Sequence, residues 1–120
     1  MMTCPLDPNI LVFVLEPEGA LEQRFADSHA FAVYGTGVPG PFIVIDARLQ
    51  RQPWFTENHL LVLLAHELAH ILRFSPDELQ ADLLAMRLLL EGGYLEAYAM
   101  LRQRHEHRLA IDAYDRHLAA

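Results

Sequence analysis

The sequence predicts an α+β fold: a small N-terminal mixed sheet of about three strands followed by three helices. Three observations carry this. The first half is rich in β-branched and aromatic residues punctuated by Pro and Gly. The second half reads as almost continuous helix. At the join lies an apolar run, LLVLLAHELAHIL, interrupted only by His66, Glu67 and His70. At 120 residues and 52% apolar, the chain is long enough for one folded domain, 1–120, with a real core.

Taken in order, NILVFVLE (Asn9 to Glu16) and HAFAVYG (His29 to Gly35) read as strands, with a short helix near Gly19 to Phe25 between them. TGVPGP (Thr36 to Pro41) is turn material, and FIVID (Phe42 to Asp46) is a third strand. Thr56 suits the N-cap of a helix from about Glu57 to Phe74, which Ser75-Pro76 ends. Pro76 fits the first turn of the next helix, with Ser75 as its cap, and EGG at 91–93 stops that helix. A last, charged helix starts near Tyr94.

Composition narrows the function classes. Sixteen acidic residues against nine basic ones give −7, which argues against a nucleic-acid or anionic-membrane partner. All nine basic residues are arginine. Cys4 is the lone cysteine, so neither an intrachain disulfide nor a four-cysteine zinc site is available. MMTCPLDPN has no secretory signature, and no apolar run approaches the roughly 20 residues of a membrane span. The expectation is a soluble, cytoplasmic protein.

His66 and His70 carry the chemistry. Four residues apart on a helix, their side chains stack on one face about 5–6 Å apart at Cβ, so both imidazoles can reach one Zn²⁺ ion. Glu67, roughly 100° further round, is placed to act on a water at the same site. The competing expectation is two inert core histidines. Burying such groups without partners costs roughly 2–7 kcal/mol each, so either reading needs partners for them.

A catalytic zinc site needs a third protein ligand. If the chain reverses at Ser75-Pro76, the next helix returns antiparallel at about 8–10 Å, setting Glu78 level with His70 and Asp82 level with His66. Glu78 is then the leading candidate for third ligand, with Asp82 bonding a histidine's free N–H. Asp82 or Asp77 as the ligand stays open, because one turn of helix register decides it.

HELAH, then ELQAD, then LLAMRLLLEGGYLEAYAML resembles the HtpX-type and CAAX-prenyl-protease group of zinc metallopeptidases, and is similar to minimal soluble gluzincins. Glu78 and Asp82 match that group's ExxAD, and Gly93-Tyr94 its Gly-Tyr turn. Upstream, HAFAVYG resembles its active-site edge strand, so the likeness runs from about His29 to Leu101. It implies a zincin-like fold, zinc, and peptide hydrolysis with Glu67 as general base. It also implies a peptide or protein substrate lying antiparallel to an edge strand of Phe31, Ala32, Val33 and Tyr34. Seven residues separate His70 from Glu78, fewer than in most of the group, and His29 stands where the group has Asn. The alternative function is a zincin-fold binding or regulatory module with little or no turnover.

The remaining candidates are weighed singly. His29 and Tyr94 could each contact an oxyanion or substrate; a surface histidine and a half-buried helix anchor are the alternatives, and Tyr98 reads as an anchor. RQRHEHR, with His105 and His107, reads as a solvated face, and His117 lies further along the same helix. His59 reads as too distant to bind, Trp54 as a cap over the core, and Cys4 as having no role.

Overall fold

A computed structural model describes residues 1–119, with the side chains at 111, 112 and 114–119 outside the described set. The strands are β1 (Met2–Cys4), β2 (Asp7–Leu15), β3 (Ala30–Val33) and β4 (Phe42–Asp46). The helices are α1 (Ala20–Asp27), α2 (Ala47–Gln50), α3 (Glu57–Arg73), α4 (Glu78–Glu91) and α5 (Leu95–Ala119). This is an α+β fold, with a four-stranded mixed sheet in the order β1-β2-β4-β3.

β4 pairs parallel with β2 in the register Leu11↔Phe42 to Leu15↔Asp46, and antiparallel with β3 in the register Ala30↔Ile45 to Val33↔Phe42. β3 is therefore an edge strand. The sheet has one strand more than the sequence predicts. β1 escaped detection because three residues give no alternation to read. Cys4, expected to have no role, is buried in the sheet core against Ile10 and Val12. The second strand is shorter than His29–Gly35 and leaves Tyr34 just beyond its end. Two short helices, α1 and α2, join the three long ones; α2 was not foreseen because it is a single turn capped by Asp46.

α3 is greasy because it is covered twice. Leu64 and Leu68 pack on Val12, Ile43 and Ile45 of the sheet. Leu61, Val62, Ala65 and Ala69 pack on Ala81, Ala85, Leu89, Ala97 and Leu101 of α4 and α5. Alanine faces alanine across α3 and α4, which permits close approach of the two helices. Thr56 caps α3 as expected, its hydroxyl accepting from the His59 N–H while the His59 ring accepts from the Thr56 N–H. His59 thus belongs to the cap.

The reversal into α4 turns on Phe74, a non-glycine residue in the left-handed region at φ 52°. The N–H of Ser75 then bonds the His70 carbonyl at 3.2 Å, the closing pattern of a helix C-terminus. Asp77, not Ser75, caps α4, accepting from the Gln80 N–H at 2.9 Å. The carboxylate is the stronger acceptor at the positive helix end, and Ser75 instead accepts from Asp77 N–H at 3.2 Å. Gly93, left-handed at φ 80°, makes the turn into α5. No described helix is long and apolar enough to cross a membrane.

Ile45, fully buried on β4 between two strands, tests the sheet core. Ile45→Ala should cost about 2–5 kcal/mol, read as a lower urea midpoint with an unchanged m-value.

Candidate metal and active site

The histidine pair on α3 meets α4 at its first turn. His66 Nε2 and His70 Nε2 lie 3.1 Å apart. The Glu78 carboxylate bridges them, Oε2 at 3.0 Å from His66 Nε2 and Oε1 at 2.8 Å from His70 Nε2. The opposite ring nitrogens are committed elsewhere. His66 Nδ1–H donates to Asp82 Oδ1 at 2.7 Å, and His70 Nδ1–H donates to the Ser75 carbonyl at 2.7 Å.

These partners fix the tautomers, because a carbonyl and a paired carboxylate only accept. In the neutral rings both Nε2 atoms are lone-pair acceptors, and Glu78 adds two acceptor oxygens. Four acceptors thus converge with no donor among them, an arrangement that holds only around a proton or a cation. Ligand atoms of a tetrahedral zinc sit about 3.3 Å apart, given bond lengths of about 2.0–2.1 Å. The observed 2.8–3.1 Å spacings need an opening of only a few tenths of an ångström. Two imidazoles and one carboxylate, each imidazole anchored through its far nitrogen, fit zinc by donor type and by outer support.

Potential ligand atoms of His66, Glu67 and His70 also fall within 4.8 Å of one another. Glu67 is set apart from Glu78 by its contacts: the Ala32 backbone on β3 hydrogen-bonds its carboxylate, while Glu78 contacts both Nε2 atoms. Burial pushes the Glu67 carboxyl up to about 7, against the pull of His66 and His70 and with Glu78 adding to the rise.

Asp82 is buried, yet its carboxyl lies below the ordinary value. Burial opposes the charge, and hydrogen bonds from His66 and His105, with Arg108 nearby, outweigh it. Asp82 Oδ2 accepts from His105 Nδ1 at 3.2 Å and from Arg108 Nη1 at 2.8 Å. Burial likewise opposes a charged His66, but the Asp82 hydrogen bond and the charges of Glu67, Glu78 and Asp82 hold it above its usual value.

Of the three acids considered for the third position, Glu78 therefore meets both imidazoles, Asp82 supports His66 from behind, and Asp77 is spent on the helix cap. The solvated-face reading of RQRHEHR is corrected for His105, which is buried, and for Arg108. His105 follows Ala97 and Leu101 at four-residue steps on the inward stripe of α5, a periodicity that could have placed it. His107 is exposed, and the side chain of His117 lies outside the described residues.

Two cavities flank the site and share Asp27, Ser28, Ala30, Glu67 and Glu78. One, of about 560 Å³, lies on the His66 side, and the other, of about 410 Å³, on the His70 side. Phe31, Ala32 and Tyr34 line the second, so the β3 edge borders it; Val33 lines neither. The Phe31 ring carries the Arg24 guanidinium at 4.4 Å from its centroid.

His29 lines the first cavity at its rim, with Nδ1 2.9 Å from Asp46 Oδ2. Arg48 hydrogen bonds hold the buried Asp46 carboxyl far below the usual range against its desolvation, with His29 assisting. Tyr94 is not brought to the site: it packs, like Tyr98, against the cluster around Leu89 and Ala97. Trp54, expected to cap the core, is 56% exposed, meets Phe55 and His59 edge to face, and lines the first cavity.

The chain matches no known protein family, no curated protein and no solved structure. The site's own chemistry therefore carries the functional argument.

Two outcomes are expected of the site. Asp82→Asn, which keeps shape and removes the charge, should weaken zinc binding about ten- to hundredfold in a competitive chelator titration. Zinc must displace the proton that the raised His66 holds. Affinity should thus fall as pH is lowered, beginning above the ordinary histidine value of 6.5. Proton release on binding, read by calorimetry in buffers of different ionisation enthalpy, checks the sign.

Proposed function

We propose that the chain is a zinc-dependent peptide hydrolase with a zincin-like catalytic core. The observation that carries this is the convergence of His66 Nε2, His70 Nε2 and the Glu78 carboxylate beside a separate buried carboxyl, Glu67. His66, His70 and Glu78 would hold the ion. When bound, zinc supplies a Lewis acid that polarises a carbonyl and makes water more acidic.

The chain's own residues do the rest. Glu67 takes a proton from water as the water oxygen adds to the peptide carbonyl carbon. It then returns the proton to the amine nitrogen as the C–N bond breaks, leaving a free amine and a carboxylic acid whose remaining water-derived proton passes to solvent. A carboxyl whose burial resists the charged form both takes and returns a proton near neutral pH. Asp82 and the Ser75 carbonyl keep the imidazoles oriented, so the Nε2 atoms stay aimed at one point.

The β3 edge, unpaired on its outer side and bordering the site, supports an extended peptide as substrate, added antiparallel as a further strand. The Glu78 side chain is 61% exposed, which supports an open rather than a closed four-ligand metal site.

Glu67→Gln should retain zinc and lose hydrolysis, checked by elemental analysis beside peptide mass spectrometry of digested unstructured protein. Full cleavage by that variant would overturn the proposal.

A further inference from the structure

The outer edge of β3 divides two unlike faces of the sheet, because side chains alternate along a strand. Ala30 belongs to the core that α3 covers through Leu64 and Leu68, whereas Phe31 and its cross-strand partner Val44 lie outside that core. Phe31 turns to the opposite face, where its ring meets Phe25 of α1 at 5.8 Å between centroids. The guanidinium of Arg24, next to Phe25 on α1, lies over the same Phe31 ring, 4.4 Å from its centroid. Arg24 and Phe31 both line the His70-side cavity, together with Glu67, His70 and Glu78.

The contacts of Arg24 set it apart. Arg48, Arg51, Arg87, Arg102 and Arg108 each hold a carboxylate. Arg24 is exposed and holds an aromatic ring instead, and it makes no ion pair among the described residues although Asp27 stands three residues on in the same helix. A guanidinium laid over a ring keeps its in-plane N–H groups for an acceptor. It is also the one arginine in the lining of that cavity. A chain of net charge −7 repels acidic peptides in general, so an acidic side chain is favoured only where a local cation meets it.

A strand added antiparallel to β3 sets its residues opposite those of β3, with facing Cβ atoms about 4.5–5.5 Å apart on the same side of the sheet. The residue opposite Phe31 therefore projects on the α1 side, beside the ring and the guanidinium. Its two neighbours project on the α3 side, where Glu67 and the histidines lie. The Ala32 backbone, next along β3, hydrogen-bonds the Glu67 carboxylate, so the residue opposite Phe31 falls close to the bond on which Glu67 acts.

We propose that Arg24, held flat on Phe31, is a specificity-determining residue that selects an acidic side chain on the substrate residue paired with Phe31. This rests on the hydrolase reading above and adds a substrate class to it: extended peptides with Asp or Glu at a fixed place beside the scissile bond. Strand addition through the backbone supplies affinity, and the side chain on the α1 side supplies discrimination.

The test measures binding of dansyl-labelled, amidated octapeptides to zinc-loaded Glu67→Gln protein by fluorescence anisotropy. The peptides share a Ser/Val sequence and differ in one central residue: Glu, Gln or Lys. The Glu peptide should bind at least about threefold more tightly than the Gln peptide, the scale expected for an exposed ion pair. Arg24→Gln should abolish that difference, and Arg24→Glu should turn it into a preference for the Lys peptide. Phe31→Leu, which removes the ring under the guanidinium, should reduce it. Arg87→Gln, which changes net charge equally on the exposed face of α4, should leave it intact.

Equal binding of the Glu and Gln peptides, a preference that survives Arg24→Gln, one that Arg87→Gln also abolishes, no swing toward Lys in Arg24→Glu, or no binding of the Glu peptide would each overturn the proposal. None of these touches the hydrolase reading, which stands or falls on whether zinc-loaded wild type cleaves unstructured protein and Glu67→Gln does not.

Discussion

Asp82 sits at 1% exposure between three donors, and the geometry of the candidate site depends on that buried charge. A carboxylate removed from water is tolerated only when its oxygens are satisfied. One oxygen accepts a hydrogen bond from His66 Nδ1–H; the other accepts from His105 and Arg108. The first contact fixes the His66 tautomer and turns Nε2 outward, while the second ties α5 to the α3–α4 pair. Breaking such a buried pair by removing one partner typically costs about 3–5 kcal/mol, so the three helices and the aim of His66 are held together.

The same economy runs through the neighbouring turn. Phe74 in the left-handed region shortens the path from α3 to α4 and directs the Ser75 carbonyl at His70 Nδ1. Small side chains at Ala65, Ala69, Ala81 and Ala85 let α4 come close enough for Glu78 to span both imidazoles. The polar interruptions of an apolar helix are thus compensated one by one: His66 by Asp82, His70 by Ser75, Glu67 by the β3 backbone. Where both Nε2 atoms meet Glu78, the neutral rings and the carboxylate offer only acceptors, so the centre holds either a proton on His66 or a metal ion. Because the outer contacts aim both Nε2 atoms and the Glu78 carboxylate at one point, a metal ion can take the place of that proton.

Much of this was legible in the residues. The long helices announced themselves through Thr56, Ser75-Pro76 and the EGG turn, and the FIVID strand through the TGVPGP turn before it. The four-residue spacing on α3 and a short reversal were enough to bring Glu78 and Asp82 opposite the histidines. What escaped was set by tertiary contact. β1 is too short to show alternation, and Cys4 is inward only because β2 lies beside it. His105 and Arg108 look like solvent-facing charge until Asp82 gives them a buried partner. Trp54 looked like a lid on the core, but its ring stands out over a cavity that no local pattern could reveal.

The claim on which everything else rests is that the centre between His66, His70 and Glu78 holds a metal ion. Its most direct test is elemental analysis of the untagged protein after equilibration with zinc and removal of excess, beside Glu78→Ala. About one zinc per chain in the wild type, lost or sharply reduced in the variant, is the result this structure leads us to expect. Wild-type protein that stays metal-free, or a variant that keeps its zinc undiminished, would contradict it and return the two histidines to the role of core packing.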